Sequence, residues 1–225
     1  MNSILVFARA LQPGQVKTRL AAHIGDEMAA QLYAAMLQDT LAVAKSAAEK
    51  CEAEVVVCYT PDDAFAPGKF SLSYFWHGAK LPQIGADLGE KMRLAISNRL
   101  VQGAERVLII GSDMPDLEAN ILQDAFDKLT NHDLVFGPAQ DGGFYLIGAR
   151  SFLPDDIFDG VEWSRKSTLQ SVLHIAHGLN LTVALLPEGA DVDEWSDVQK
   201  FASDEELQQK APHFWAALRA ERFWV

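Results

Sequence analysis

The chain is short of positive charge, of cysteine and of long apolar runs. Its 19 lysines and arginines stand against 31 acids, a formal net charge of −12. Nucleic acid and anionic membranes both require a basic face, so neither is expected as a general partner. There are only two cysteines, Cys51 and Cys58, in no CxxC or framework spacing. That excludes a disulfide scaffold and a cysteine metal site, and the two read as packing thiols. No apolar run reaches membrane-spanning length. The first residues lack the basic start and small-residue cleavage site of a signal peptide, so a cytoplasmic location is expected. Neither GxGxxG nor a Walker sequence occurs, which counts against a nicotinamide dehydrogenase and a P-loop enzyme. No Ser/Gly/Pro-rich linker divides the 225 residues, so one domain is expected over 1–225, with a core of about 3–200 and a helical extension from about 195.

What the chain does have is an ordinary soluble composition, 49% hydrophobic and 22% charged, sufficient to bury a sizeable core. Its most informative stretch runs from Arg106 to Pro115. Val107 to Ile110 is too short for a helix and apolar on both faces, so it reads as a central parallel strand covered on both sides. Gly111 ends it. In an open α/β sheet the carboxyl ends of the strands face the ligand crevice, which places Ser112 and Asp113 on the floor of a site. A carboxylate there is a natural ligand for a hard cation such as Mg²⁺ or Mn²⁺. The alternative is that Asp113 caps the following helix, for which Pro115 and Glu118 suit the first turn over 117–129.

Ser3–Ala8 forms another apolar strand, followed by a loop from Arg9 to Leu20 with Pro13 and Gly14 as turn residues. Residues 1–25 contain Arg9, Lys17 and Arg19 and no acid. In an acidic protein this matters, since two unit charges about 4 Å apart interact by about 4 kcal/mol at an effective dielectric near 20. Lys17 as a point charge and Arg19 as a bidentate fork can hold phosphates, with Gly14 allowing close backbone approach. The alternative is a solvated basic loop.

Asp26 reads as the N-cap of a helix through Lys50 with an apolar stripe, beside which Asp39 is a surface or capping partner. Strands are expected at 54–59, 134–136, 144–148 and 181–186, and a short one at 72–76. His77–Gly89 reads as a loop with Asp87 capping a helix over 88–102. Asp141-Gly142-Gly143 is either a hairpin turn or a place where two glycines let backbone approach a ligand, with Asp141 facing the same crevice as Asp113. Trp163-Ser164-Arg165 is either an acceptor-side lid or a core plug. His174 and His177 have zinc-like spacing but no third ligand, and read as surface. Asp191 and Asp193 alternate on an extended segment, so both point to one side and repel unless a cation lies between them. Ser196 or Asp197 opens a last helical region to about Arg222. Trp195, Trp215, Phe223 and Trp224 make this end aromatic; packing on the core is the default, and a homodimer contact the alternative.

In their order along the chain, these segments resemble the bacterial DUF2064 family. The residues that carry the resemblance are Pro13-Gly14 with Lys17-Thr18-Arg19-Leu20, then Gly111-Ser112-Asp113-Met114-Pro115, then Gly137 to Gly148, Trp163-Ser164 and Asp191-Val192-Asp193. It runs from about Ile4 to Val198. Members are described as candidate glycosyltransferases, or as a transferase associated with radical-SAM and selenium-domain proteins. The resemblance implies an α/β three-layer sandwich of the GT-A, or nucleotide-diphospho-sugar transferase, type with a mostly parallel central sheet. That superfamily also holds nucleotidyltransferases for sugars, molybdopterin and phospholactate, the last with a similar basic loop. It further implies metal ligation by Asp113, with Asp191 or Asp193 as the second arm. Two departures stand out. The Asp-x-Asp of many glycosyltransferases is here Gly111-Ser112-Asp113, one carboxylate short, and Arg9-Ala10 stands where members often carry Lys-Ala.

The reading that results is a Mg²⁺- or Mn²⁺-dependent transferase using a nucleotide-activated donor and a small-molecule acceptor. Asp113, Asp141 and Lys17 are its candidate catalytic residues. Arg9, Gly14, Lys17, Thr18, Arg19, Ser112, Gly142 and Gly143 are candidate phosphate and nucleotide contacts, and Asp113, Asp191 and Asp193 candidate metal ligands. Glycosyl transfer from an NDP-sugar is favoured by the family description. Transfer of NMP from an NTP, with release of pyrophosphate, is favoured by the basic loop, because a triphosphate carries more charge to offset. A non-catalytic nucleotide-binding regulator is the third reading.

Overall fold

The apolar runs become the middle of a single seven-stranded sheet in a computed structural model that describes residues 1–220. The elements in chain order are β1 (Asn2–Arg9), α1 (Thr18–Ile24), α2 (Asp26–Cys51), β2 (Ala53–Thr60), β3 (Ala79–Pro82), α3 (Leu88–Val101), β4 (Arg106–Ile110) and α4 (Ala119–Lys128). After these come β5 (Leu134–Pro138), β6 (Phe144–Arg150), α5 (Thr168–Gly178), β7 (Val183–Leu185), α6 (Trp195–Ala202), α7 (Leu207–Lys210) and α8 (Pro212–Ala220). The strand order is β3-β2-β1-β4-β6-β5-β7. Only β6 runs antiparallel to its neighbours, pairing with β4 on one side and β5 on the other. Every other pairing is parallel.

Because β1 and β4 are apolar on both faces, each needs cover above and below. One face packs Ile4, Val6, Leu108 and Ile110 against Leu20 of α1 and the Leu32, Met36 and Leu37 stripe of α2. The other packs Leu5, Val107 and Ile109 against Met92 and Ile96 of α3 and Val172 of α5. The result is a helix–sheet–helix sandwich whose loops gather at the carboxyl ends of the parallel strands, as an open α/β sheet requires. Among the described residues no helix is long and apolar enough to cross a membrane.

Several expected elements change form. Residues 72–76 are not a strand: Leu72–Tyr74 is a 3₁₀ turn with Ser71 as its cap, and the Trp76 amide bonds the Leu72 carbonyl at 3.1 Å. The buried pair there, Leu72 and Trp76, is one helical turn apart. The edge strand β3 arises where a loop was expected; its four residues are exposed to half-buried and carry no alternation to announce it. α1 begins inside the expected loop, at Thr18, and runs on to Ile24. Asp26 is the first residue of α2 rather than its cap, a place taken by Gly25 at φ 87°. Pro115 sits in a turn, and the next helix begins at Ala119 with Glu118 as N-cap. Ser167 is the N-cap residue of α5, yet its side chain makes no capping bond. Up to Ala220 the last described region is broken into three helices, and the first is opened by a capping box between Glu194 and Asp197 rather than by Ser196. Asp87 caps α3 as expected, accepting from the Glu90 amide at 2.9 Å.

Asp39 turns out to be a capping partner of an unusual kind. Only 3% exposed within α2, it accepts from the backbone amides of His213 and Phe214 at 3.1 and 2.8 Å and from the His213 ring at 2.7 Å. Its carboxylate thus closes the first turn of α8 from another helix, satisfying donors that would otherwise be stranded. Asp39→Ala should cost about 2 kcal/mol. In a chain of this size that is a drop of about 4–8 °C in Tm, and Asp39→Asn, which keeps an acceptor oxygen, should lose less. Equal melting of wild type and Asp39→Ala would show that α8 is held by its apolar face alone. Trp195 packs on the core by stacking with His23, ring centroids 5.1 Å apart, and Trp215 packs against the α2 side. Phe223 and Trp224 lie outside the described residues.

Candidate active site

The carboxyl ends of β1 and β4 are locked together by a relay of hydroxyls. Tyr33, in the apolar stripe of α2, accepts from the Arg9 amide at 3.0 Å and lies 2.8 Å from the Ser112 hydroxyl, which donates to the Phe7 carbonyl at 2.9 Å. Since Ser112 gives its one proton to the Phe7 carbonyl, Tyr33 is the donor of this pair. Burial pushes the Tyr33 phenol above its ordinary value, so it stays a donor. This clamp fixes the turn that carries Asp113. Tyr33 escaped the sequence reading, although a hydroxyl-bearing aromatic inside an otherwise apolar helical stripe was a signal.

The third segment arrives through backbone pairing. Gly189 bridges to Ala139 beyond β5, and the Val192 amide bonds the Asp113 carbonyl at 2.9 Å. Asp191 and Asp193 therefore flank Asp113. One carboxylate oxygen from each of the three lies within 4.8 Å of the others. Lys17 completes the group: its Nζ is 2.9 Å from Asp113 Oδ2 and 2.7 Å from Asp193 Oδ1, with the side chain only 7% exposed. Arg19 stands 3.7 Å from the other Asp193 oxygen. Lys17 is the N-cap of α1 in the left-handed region, φ 45°, so its backbone turns where a β-carbon is disfavoured and the side chain is delivered inward.

The electrostatics are those of a cation trap. Burial alone would lower the Lys17 ammonium, but Asp113 and Asp193 outweigh it and hold it above its ordinary value, so it is charged at any physiological pH. Asp191 is pushed up to about 6, first by burial and then by the charges of Asp113 and Asp193. Three converging carboxylates with one short of a counter-charge suit a hard divalent cation. Asp113 is not the helix cap, because its carboxylate is engaged with Lys17 and the N-cap position of α4 is held by Glu118, whose side chain makes no capping bond.

These groups line a cavity of about 670 Å³ at the strand ends. Its lining includes five bases, Arg9, Lys17, Arg19, Lys91 and Arg165, against four acids, Asp113, Asp141, Asp191 and Asp193. The acidic protein has thus gathered enough cations here to receive an anion. Thr18, Ser112 and Gly143 also border the cavity. Asp141 borders it while accepting from the Gly143 amide at 2.8 Å, so the segment is a hairpin between β5 and β6 and a cavity wall at once. Two expectations are corrected. Gly14 does not border the cavity; a β-carbon there would face the Asp26 carboxylate. Gly142, at φ 89°, is not among the lining residues and allows close approach of the Lys166 backbone. On the far wall Trp163 packs edge-on to Phe158 and Phe144, with centroids 5.5 and 6.3 Å away, and over Gly89, where any β-carbon would strike its ring. It is plug and wall together. His174 and His177 are exposed on α5, away from the site. Burial pushes the Cys58 thiol up to about 12, which leaves it inert.

Comparison with known proteins follows the same line. The family model described as an uncharacterized protein conserved in bacteria, DUF2064, matches residues 40–165. No curated protein matches. A candidate nucleotide-diphospho-sugar transferase from Desulfovibrio desulfuricans is 34% identical over 98% of this chain and 95% of its own, with a TM-score of 0.85. A cytidylyltransferase from Leptospira borgpetersenii is 15% identical over 90% of this chain and 86% of its own, TM-score 0.58. A 4-diphosphocytidyl-2C-methyl-D-erythritol synthase from Anaerococcus prevotii is 10% identical over 88% and 96%, TM-score 0.54. The last two share the fold alone. By the matched segment and the near-complete alignment at 34% identity, the chain belongs to the DUF2064 family and has the nucleotide-diphospho-sugar transferase fold.

Proposed function

We propose that the chain is a metal-dependent transferase acting on a nucleotide-activated donor. The observation that carries this reading is the convergence of Lys17 and Arg19 with Asp113, Asp191 and Asp193, from three distant segments, on one cavity. Lys17 and Arg19 neutralise donor phosphate oxygens, Lys17 moving from the carboxylates to the phosphate while Arg19 and Arg9 steer from the rim. Asp113, with Asp191 and Asp193, holds Mg²⁺ or Mn²⁺, which when bound supplies charge stabilisation at the leaving phosphate. Asp141, on the same cavity, orients the acceptor hydroxyl or takes its proton.

Glycosyl transfer from an NDP-sugar is the preferred form, supported by the relative from Desulfovibrio desulfuricans. In it the acceptor oxygen attacks the anomeric carbon and NDP leaves. Nucleotidyl transfer is the second form, favoured by the basic residues directly after β1; there an acceptor phosphate attacks the α-phosphorus of an NTP and pyrophosphate leaves.

A thermal-shift panel of NTPs and NDP-sugars, with and without Mg²⁺ or Mn²⁺, tests the reading. At 100 times Kd, linkage gives about 2.7 kcal/mol. For a chain of this size that is a rise of about 5–10 °C, and it should require the metal. The stabilising ligand is then incubated with candidate acceptors, and release of NDP or of pyrophosphate separates the two forms. Stabilisation with neither product over hours would mark a regulator, and no stabilisation by any nucleotide would overturn the proposal.

A further inference from the structure

Among the described residues the half-buried basic side chains are almost all spoken for. Lys17, Arg93, Arg99, Lys128, Arg150 and Lys210 each pair with a carboxylate, and Arg106 bonds the Asn2 side chain and the Phe126 carbonyl. Lys91 is the exception: half-buried on the wall of the cavity, it has no protein acceptor among the described residues. Its position adds to the anomaly. It lies in the first turn of α3, where the helix dipole already disfavours a cation. An ammonium with no acceptor of its own, at the positive end of a helix on the cavity wall, is available to an anion from outside the chain.

Lys91 is also well separated in the fold from the donor group. α1 and Lys17 reach the strand ends from the face covered by α2, whereas α3 packs on the opposite face through Met92 and Ile96. The cavity therefore has two basic poles, one on each side of the sheet edge. Trp163, seated over Gly89 and flanked by Phe144, lines the same cavity as Lys91.

We infer that Lys91 reads an anionic group on the acceptor, a phosphate or a carboxylate, with the carbon skeleton of that acceptor lying against Trp163. This rests on the reading above that the Lys17 pole takes the donor. Lys91 is then a specificity-determining residue: a neutral acceptor leaves its ammonium unpaired, and a cationic one is repelled.

The test uses the full chain with Mg²⁺-pyrophosphate as the donor-pole probe. Inorganic phosphate and succinate are titrated by calorimetry into wild type already saturated with Mg²⁺-pyrophosphate, and the same is done with Lys91→Met. One of the two anions should bind wild type and lose about tenfold or more in affinity in Lys91→Met, as loss of a charge-assisted bond implies. Mg²⁺-pyrophosphate itself should bind both proteins alike. Preference for phosphate identifies a phosphorylated acceptor, preference for succinate a carboxylic acid. The inference is overturned if neither anion binds the saturated protein, if both proteins bind them equally, or if Lys91→Met weakens pyrophosphate as much, which would put Lys91 in the donor pole. Absence of any Mg²⁺-pyrophosphate binding to wild type would instead strike the proposed function. Should Lys91→Met fail to fold, Lys91→Gln serves in the same comparison.

Discussion

Asp113→Ala should abolish the metal-dependent part of nucleotide stabilisation while leaving the metal-free protein nearly as stable as wild type. Asp113 is the carboxylate on which the site is centred, one oxygen within 4.8 Å of those of Asp191 and Asp193. Removing a ligand rather than a mere supporting residue should weaken Mg²⁺ or Mn²⁺ at least about 100-fold, the upper end of what outer-shell changes alone produce. Stability should change little for two reasons. Lys17 keeps its 2.7 Å contact to Asp193, so no buried ammonium is orphaned. Loss of the Asp113 charge also relieves Asp191, whose raised value owes more to that neighbour than to any other charge. The measurement is Tm with nucleotide in the presence and absence of metal. A metal response that survives in Asp113→Ala would place the cation elsewhere and refute the site.

Lys17→Met should move the two ligands in opposite directions. In the metal-free protein the Lys17 ammonium stands between Asp113 and Asp193, at 2.9 and 2.7 Å. It occupies the position a divalent cation would need. Without it, the carboxylates face one another uncompensated, and two such charges about 4 Å apart at an effective dielectric near 20 repel by about 4 kcal/mol. A bare cation should therefore bind more tightly, its Kd falling at least about tenfold when only part of that repulsion is relieved. Phosphorylated ligands lose their buried point charge and should bind more weakly, NTPs and NDP-sugars alike. Mn²⁺ titration by electron paramagnetic resonance gives the first, calorimetry with nucleotide the second. A lysine that merely braced the loop would weaken both, and that pattern would show that Lys17 does not exchange between carboxylate and phosphate.

The two variants also separate the functional forms from one another only in combination with product analysis, because both forms need the same donor pole. What divides them is the leaving group, and hence the acceptor. The Lys91 experiment bears on this: a phosphate-reading acceptor wall belongs naturally with an attacking phosphate, a carboxylate-reading one with glycosyl transfer to an acid.

The sequence by itself determined the layers. Unbroken apolar runs at 3–8 and 107–110 could only be strands covered on both faces, and the stripe from Met28 to Val43 only a helix packed against them. Asp87 announced the start of α3, since a short acceptor side chain before a helix has one obvious use. The acid-free first 25 residues, the lone carboxylate after the central strand and the alternating Asp191 and Asp193 were all legible, because each is a local anomaly in charge or spacing. Tertiary structure alone decided the rest. β3 is a four-residue edge whose strand character exists only by pairing with β2. The placement of antiparallel β6 beside β4 follows from long-range pairing that no local pattern encodes. Gly14 and Gly142 looked alike as ligand contacts, yet a β-carbon would find room at Gly14 and strike the Lys166 backbone at Gly142, because glycine signals only that something can come close, never what. Tyr33 and Lys91 look in sequence like one more stripe residue and one more surface lysine. Their significance is that a buried hydroxyl found partners and a lysine on the cavity wall did not, and whether a polar group is satisfied depends on atoms brought from elsewhere in the chain, which only folding supplies.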